Sequence, residues 1–336
     1  MTATETNKPM LDIILPVYNT ERYVDQCIES IVNQEFKDWH LIILDDGSTD
    51  SSSVICDNWA KRDQRITVIH KTNSGQADSR NLGIKMCTAE YVGFVDSDDK
   101  IEPKMYLLLI ENLQKNEADI SVCNYYSYTT KDSVCKHYDN NIEVLDNNQA
   151  MELLIKDKIQ SCMCMMVFKR SCIAYPIPRM ISFEDYTVMP HWFERARCVV
   201  RDMRPLYHYR KRRSSIVHTL TLQRELDFLE AERQRFDYFR NSKYMPLATL
   251  CLMVRCIIVV KCIAFLNIDR KEMVNNIDFI KHILVEIAPG YVSKLKLKDM
   301  LVYWVLMLNT SIFIIFMKMI KLFNLNKKVD DRYLFD

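Results

Sequence analysis

Short apolar runs recur along the first hundred positions, each ending in a polar cluster. LDIIL (11–15) stops at Pro16, LIIL (41–44) at DDGSTD, residues 66–69 shortly before NSGQADSRN, and YVGFV (91–95) at DSDD. Between these runs the apolar positions widen to helical spacing. Val24, Cys27, Ile28 and Ile31 share one helical face, and Val54, Ile55 and Trp59 lie on a second helix whose start is rich in capping Ser, Thr and Asp. A third helix runs through Leu82, Ile84 and Met86. Strands alternating with helices about every 30 residues predict a parallel sheet with helices on its faces. In such sheets ligands sit beyond the carboxyl ends of the strands, where the polar clusters PVYN, DDGS and DSDD fall.

From about residue 119 the pattern is less regular: DISVC, the aromatic YYSY, a helical NNQAMELLIK and a strand-like CMCMMVFK. Residues 183–195 read as helix apart from Pro190, and CVVR and PLYHYR as strands, so this half adds sheet to the first. Beyond Val217 a charged helix, QRELDFLEAERQRFDYF, precedes two apolar stretches at 245–268 and 300–317. Arg255 and Lys261 argue against a bilayer span in the first. The second has eighteen residues without a charge, against about 20 for a span. Asn309, Thr310 and Ser311 weaken it, while Lys318, Lys321, Lys327 and Lys328 behind it suit an anionic membrane surface. Packing in the core or at an interface, partial insertion and a true span all stay open. The expected division is a catalytic domain over 1–217 and a helical region over 218–336 able to associate with a membrane.

Composition narrows the classes. With 336 residues, 49% of them hydrophobic, the chain can bury a sizeable core as one large or two ordinary domains. A net charge of +1 gives no general field for nucleic acid, so an anionic ligand must be held locally. Twelve cysteines scattered in apolar contexts, with no secretory segment at the polar start, imply a reduced cytosolic compartment. None has the spacing of a zinc site.

DSDD concentrates three carboxylates, Asp96, Asp98 and Asp99, at the end of one strand. Such groups repel, and a divalent cation or water must relieve them. Two carboxylates one residue apart on an extended chain point to the same side. One can hold a hard cation that also touches two phosphates while the other takes a ribose hydroxyl. The plainer alternative is a solvated turn.

Taken in order, PVYN (16–19), DDGSTD (45–50), N-x-G leading to Ser79, Arg80 and Asn81, DSDD (96–99), and Glu184 with Asp185 resemble the family 2 glycosyltransferases of bacterial surface-polysaccharide type, over about residues 10–215. The resemblance implies a GT-A, Rossmann-like α/β fold: a mostly parallel sheet flanked by helices, with a C-terminal helical appendage. It places Pro16, Val17, Tyr18 and Asn19 against the nucleoside, and Asp46 with Asp45 on the base. Arg80 falls near the diphosphate, Asp96 on ribose, and Asp98 on the metal with Asp99 in support. Gly75 and Ser97 lie within the same donor-binding motifs. Asp185, paired with Glu184, corresponds to the general base toward the acceptor hydroxyl. Downstream, His208 is either a further metal ligand beside Asp98 and Asp96 or a strand-edge histidine, and Arg210 either a diphosphate contact or part of a solvated basic run.

Each position also has a structural reading. Tyr18 could cap the sheet, Arg80 could pair with Asp78 or Asp99 on the surface, and Asp45 with Asp46, or Glu184 with Asp185, could serve a helix N-terminus. Two departures stand out: Ala77 where many relatives have Ser, and Asp78, which must point to solvent if Arg80 is to receive phosphate.

The implied reaction is metal-dependent transfer of one sugar, with inversion, from a nucleotide sugar, UDP-linked, to a glycan or polyprenyl-linked saccharide, using Mg2+ or Mn2+. The Q-x-x-R-W motif of processive synthases is absent from the sequence. The implied location is cytoplasmic, peripheral on the inner face of the cell membrane, among other glycan-assembly enzymes. The alternative is a catalytically silent nucleotide-sugar-binding scaffold of such an assembly. A nucleotidyltransferase would want Gly and Arg in a phosphate loop after the first strand, and an aspartyl phosphatase a D-x-D at that strand's end. PVYN supplies neither.

Overall fold

A computed structural model of the chain describes residues 8–128, 133–134, 139–180, 182–211 and 221–323. Lys327, Lys328 and the junction at 217–218 lie outside the described residues. The chain divides into two compact units, residues 1–180 with 184–213, and residues 181–183 with 214–336.

The first unit begins with strand and helix in alternation: β1 (Leu11–Val17), α1 (Val24–Val32), β2 (Trp39–Asp45), α2 (Ser52–Arg62), β3 (Ile66–His70), α3 (Gln76–Met86) and β4 (Tyr91–Phe94). β1 pairs in parallel with β2 and β4, and β2 with β3. Strands covered on both faces read as continuous apolar runs, and every residue of β1 is buried. Val24, Cys27, Ile28 and Ile31 are fully buried, as their spacing requires. The second helix forms, but it buries Ser52 and Cys56 and exposes Val54. Its phase follows a polar anchor, because the buried Ser52 hydroxyl accepts the Thr20 N–H at 2.9 Å. α3 lies so close to β1 that a Cβ at Gly83 would come within 2.7 Å of an Ile14 methyl, so only glycine fits.

A buried charge fixes β1 against the start of β4. The Asp12 carboxylate accepts the N–H groups of Thr88 (2.6 Å) and Ala89 (2.8 Å) and bonds His40 Nδ1 at 3.0 Å. Burial alone would raise its pKa, but these bonds hold the carboxyl below the ordinary value.

The unit continues through β5 (Lys100–Ile101), α4 (Met105–Lys115), β6 (Ile120–Tyr128), β7 (Ser133–Val134), β8 (Ile142–Asp146), α5 (Asn147–Ile155), β9 (Met166–Lys169), α6 (Glu184–Phe193) and β10 (Cys198–Arg210). The sheet order is β3-β2-β1-β4-β9-β6-β10-β5, with β7 on β6 and β8 on β10. β9 runs antiparallel to β4 and β6, while β6 and β10 are parallel. The sheet is therefore parallel over its first four strands and mixed beyond them. DISVC and YYSY join into the single nine-residue β6. CVVR and PLYHYR join into the thirteen-residue β10, whose register shifts on either side of Pro205, a residue with no N–H for the ladder. The net effect is to bring the end of β10 beside the DSDD loop.

The second unit holds α7 (Leu222–Phe239), α8 (Met245–Phe265), α9 (Arg270–Ile287), α10 (Leu297–Leu308) and α11 (Thr310–Phe323). α8 packs against the other four. By length and composition it is one helix among the described residues able to cross a membrane, yet 61% of its most apolar window is buried inside the protein. Its Arg255 guanidinium lies 3.5 Å over the Phe228 ring, and Glu225 is paired with Arg224 at 2.9 Å. The uncharged run 300–317 is not one helix. It breaks at Asn309, where the backbone is extended and Oδ1 accepts the N–H groups of Ser311 (2.8 Å) and Ile312 (3.2 Å) to start α11.

Candidate active site

The site gathers at the carboxyl ends of β1, β2 and β4 and at the end of β10. Pro16 and Val17 are buried within β1, and Tyr18 and Asn19 emerge exposed, so the Tyr18 ring does not cap the sheet. Asn19 adopts a left-handed backbone (φ 50°), its N–H reaches Ser48 Oγ at 3.1 Å, and its Oδ1 accepts the Thr49 N–H at 2.8 Å. The PVYN turn is thereby tied to the DDGSTD loop.

Asp45 and Asp46 are both buried and already engaged. Asp45 accepts the Ser48 N–H (3.1 Å), the Ser53 hydroxyl (2.6 Å) and a bond with His70 Nδ1 (2.8 Å). Burial would raise its pKa, but the bonds from Ser48, Ser53 and His70 hold it below the ordinary value. Asp46 pairs with the Lys71 ammonium and accepts the N–H groups of Ser74 and Gly75, each at 2.9 Å. Gly75 has φ 93°, which favours glycine, and α3 begins at the next residue. A uracil N–H would have to share an Asp46 oxygen that now holds this loop.

Arg80 is the junction of the site. Its guanidinium is buried and donates from Nη1 to Glu184 Oε1 at 2.6 Å and from Nη2 to Asp96 Oδ1 at 2.7 Å, while its Nε has no acceptor. Three motifs separated by up to 104 residues in sequence are thereby joined by one fork. Asp78 forms its ion pair with the exposed Arg179 instead, at 2.8 Å. Gln76 Nε2 also donates to Asp96 Oδ1, at 3.1 Å.

The DSDD carboxylates occupy three different environments. Asp96 and Asp98 are partly exposed, whereas Asp99 is 1% exposed. Asp99 accepts the Tyr207 hydroxyl (2.7 Å) and the Arg210 N–H (2.7 Å), and the same Tyr207 oxygen accepts the Asp96 N–H at 3.3 Å. Burial and the charges of Asp98 and Asp96 push the Asp99 carboxyl well above its ordinary value, against the pull of those two bonds. The Ser97 hydroxyl accepts from Thr20 Oγ1 at 3.1 Å, which anchors the loop to the first strand–helix turn. Arg210 donates from Nε to the Asp98 carbonyl at 2.7 Å and stacks over the rings of Tyr23 and Tyr128, so it braces the loop.

His208 lies apart from this cluster. Its Nε2 bonds Glu102 Oε1 at 2.5 Å, its ring stacks on Tyr126 at 5.0 Å, and burial lowers its pKa although Glu102 opposes the shift. Among the described residues no three His, Cys, Asp or Glu side chains converge as a ligand set. A Mg2+ or Mn2+ ion that arrives on a diphosphate asks the protein for only one or two carboxylates, because phosphates and water fill the other positions. Asp98 and Asp96 fit that demand, and a His208 ligand is not needed for it.

Glu184 and Asp185 open α6. The chain reaches them through Phe183, a non-glycine residue at φ 67°, a strained backbone of the kind that collects at working sites. Asp185 is partly exposed and accepts the Tyr186 N–H at 2.7 Å. Burial, then the Glu184 charge, push its carboxyl up to about 7 against the pull of Arg80 and that N–H. A carboxylate titrating there is suited to take a proton near neutral pH.

Tyr207, Gln76, Lys71 and Glu102 were not singled out from sequence. Alternation along PLYHYR separates Tyr207 from His208 and Arg210. Charge and ligand chemistry mark His208 and Arg210 in this strand, and not the tyrosine whose hydroxyl reaches DSDD. No sequence signal points to Gln76 or Glu102, since each is chosen by a contact across the fold.

Residues 12–175 match the family model described as Glycosyl transferase family 2. Glycosyltransferase GlyG of Streptococcus pneumoniae serotype 4 is 30% identical over 225 residues, 62% of this chain and 73% of that protein. Among solved structures, S. aureus TarS 1–349 in complex with UDP-GlcNAc matches with a TM-score of 0.54 at 16% identity, covering 88% of this chain and 78% of that one. The mannosyltransferase PcManGT from Pyrobaculum calidifontis, in complex with GDP-Man and Mn2+, matches with a TM-score of 0.52 at 14% identity, covering 94% and 87%. These two likenesses speak to the fold, and the GlyG alignment to descent. The chain belongs to glycosyl transferase family 2 and is a glycosyltransferase of GT-A-like fold.

Proposed function

We propose that the protein moves one sugar from a UDP-linked donor to a hydroxyl of a glycan or lipid-linked saccharide, with inversion at the anomeric carbon and with Mg2+ or Mn2+ on the diphosphate. The observation that carries this reading is the Arg80 fork, which brings the DSDD loop and the Glu184–Asp185 pair to one guanidinium. Support for a UDP-linked donor comes from TarS, solved with UDP-GlcNAc.

Asp98 would hold the cation together with Asp96, whose Oδ1 faces Arg80 and Gln76 and whose Oδ2 can meet a ribose hydroxyl. When bound, the cation neutralises charge on the departing diphosphate. Arg80, with its two Nη donors engaged by Asp96 and Glu184, would hold these carboxylates in place beside it. Asp185 takes the proton of the acceptor hydroxyl, the acceptor oxygen bonds to the anomeric carbon, and the bond from that carbon to UDP breaks with its electron pair leaving on the phosphate oxygen. A base on the side opposite the leaving group gives inversion.

A panel of nucleotide sugars screened by UDP release with saccharide acceptors tests the donor, and the anomeric configuration of the product tests the stereochemistry. A product that retains the donor's configuration sinks the single displacement. UDP binding with no transfer from any donor favours a silent scaffold.

A further inference from the structure

The last two helices are apolar on the wrong side for a packed bundle. In α10, Val302, Tyr303 and Leu306 are buried, and the opposite face carries Leu297, Leu301, Trp304 and Leu308. At about 100° per residue these four fall within a narrow arc. α11 repeats the arrangement, burying Phe313, Ile314 and Met317 and turning Ile312, Ile315 and Met319 outward. The seven outward residues are 45–77% exposed, more than isolated surface hydrophobics explain.

Charge around these faces is one-sided. Residues 287–321 contain five lysines and a single acid, Asp299. That acid is buried and paired with Lys261 at 2.8 Å. Lys294, Lys296, Lys298, Lys318 and Lys321 are all exposed. Lys298 sits about 100° round the helix from Leu297 and Lys296 is the residue that caps its start, so their stems can border the apolar stripe and their ammonium groups can reach out of it. The helices, of twelve and fourteen residues, are about 18 and 21 Å long, short of the roughly 30 Å hydrocarbon core, and the chain is broken between them at Asn309.

We propose that the outward faces of α10 and α11 are a docking surface for the anionic face of a lipid bilayer, with both helices lying in the plane of the interface. Apolar side chains enter the headgroup boundary and the flanking lysines meet lipid phosphates. A second copy of the chain is a poorer occupant, since it would set two like-charged lysine borders against each other.

The test is flotation of the full-length protein with vesicles of phosphatidylcholine alone and of phosphatidylcholine with phosphatidylglycerol in equal parts. The protein floats with the anionic vesicles and weakly with the neutral ones. A triple variant, Leu301→Ser with Trp304→Ser and Leu308→Ser, loses at least about tenfold in partitioning, because its apolar area is gone. Lys296→Gln, Lys298→Gln and Lys318→Gln together lose roughly fivefold per lysine while keeping the apolar faces, so a folding defect in the first variant does not decide the matter. Both variants keep UDP release on a water-soluble acceptor. The proposal is overturned if the protein stays at the bottom of the gradient with anionic vesicles, or if the lysine variant partitions as the parent does. It is also overturned if the bound protein resists alkaline carbonate, which marks a span, or if the stripe variants abolish a dimer that had covered the face.

Discussion

The Asp185 carboxyl stands between opposing influences. Arg80 stabilises the Asp185 carboxylate, whereas burial and Glu184 oppose it, and the balance falls at about 7. The rising limb of kcat/KM should therefore lie near that pH, with rate falling tenfold per unit below it, because the base must be deprotonated. Glu184→Gln removes the repelling charge and should move the limb to lower pH. Arg80→Gln removes the attracting charge and should move it higher, while leaving Asp96 and Glu184 without their buried partner. That loss should destabilise the fold by about 3–5 kcal/mol in urea titrations. Asp185→Asn should lower kcat by about 10²- to 10⁴-fold with donor binding retained. It should also make a stability slope shallower: the folded protein binds this proton more tightly than the unfolded chain, so Asp185 contributes a decline in stability from about pH 4 to pH 7 that the variant loses. A pH–rate limb unmoved in both charge variants would remove Asp185 from the role of base.

At the level of elements, the DSDD loop works because one carboxylate is sacrificed to hold the other two. Asp99 is turned inward to Tyr207 and the Arg210 N–H, which leaves Asp96 and Asp98 toward solvent on a fixed backbone. Tyr207→Phe leaves a buried Asp99 oxygen and the Asp96 N–H short of a partner, and should cost about 1–3 kcal/mol of stability. It should weaken UDP binding in the presence of Mn2+ without changing the metal-free affinity. Asp98→Asn should abolish the Mn2+-dependent part of UDP binding, measured by titration calorimetry, with the melting curve intact. Near-normal turnover in Asp98→Asn would end the metal role of that residue. The residues themselves show this loop only as three clustered carboxylates, and it was the family resemblance that set Asp99 apart, as support for the metal ligand. The separation depends on β10, whose alternation and Pro205 shift bring Tyr207 to it across 108 positions.

β1, β2, β4 and α1 were legible for a physical reason: strands buried on both faces and a helix with one apolar face leave local patterns, whereas α2 and α3 turn small or polar residues inward. The second half was harder to read because its pairings alternate direction and its register shifts, and those are properties of partners distant in sequence. Exposure of an apolar helix is equally invisible to composition, since 300–317 has the same letters whether its outer face is covered or bare. That exposure makes a further prediction at the scale of the whole molecule. The net charge of +1 gives the protein no long-range attraction to an anionic surface, so on the proposed docking mode the attraction is local and comes from the lysines of the C-terminal helices. Local charges are screened over about 10 Å at 0.1 M salt and about 3 Å at 1 M. Partitioning onto phosphatidylglycerol vesicles should fall steeply across that range, to a residue set by the apolar faces alone. Turnover of a water-soluble acceptor by the same preparation should change much less, because the Arg80 pairs are buried and poorly screened. Parallel loss of both would mean that salt acts on the active site, whereas a salt-independent partition would remove the lysines from the docking surface.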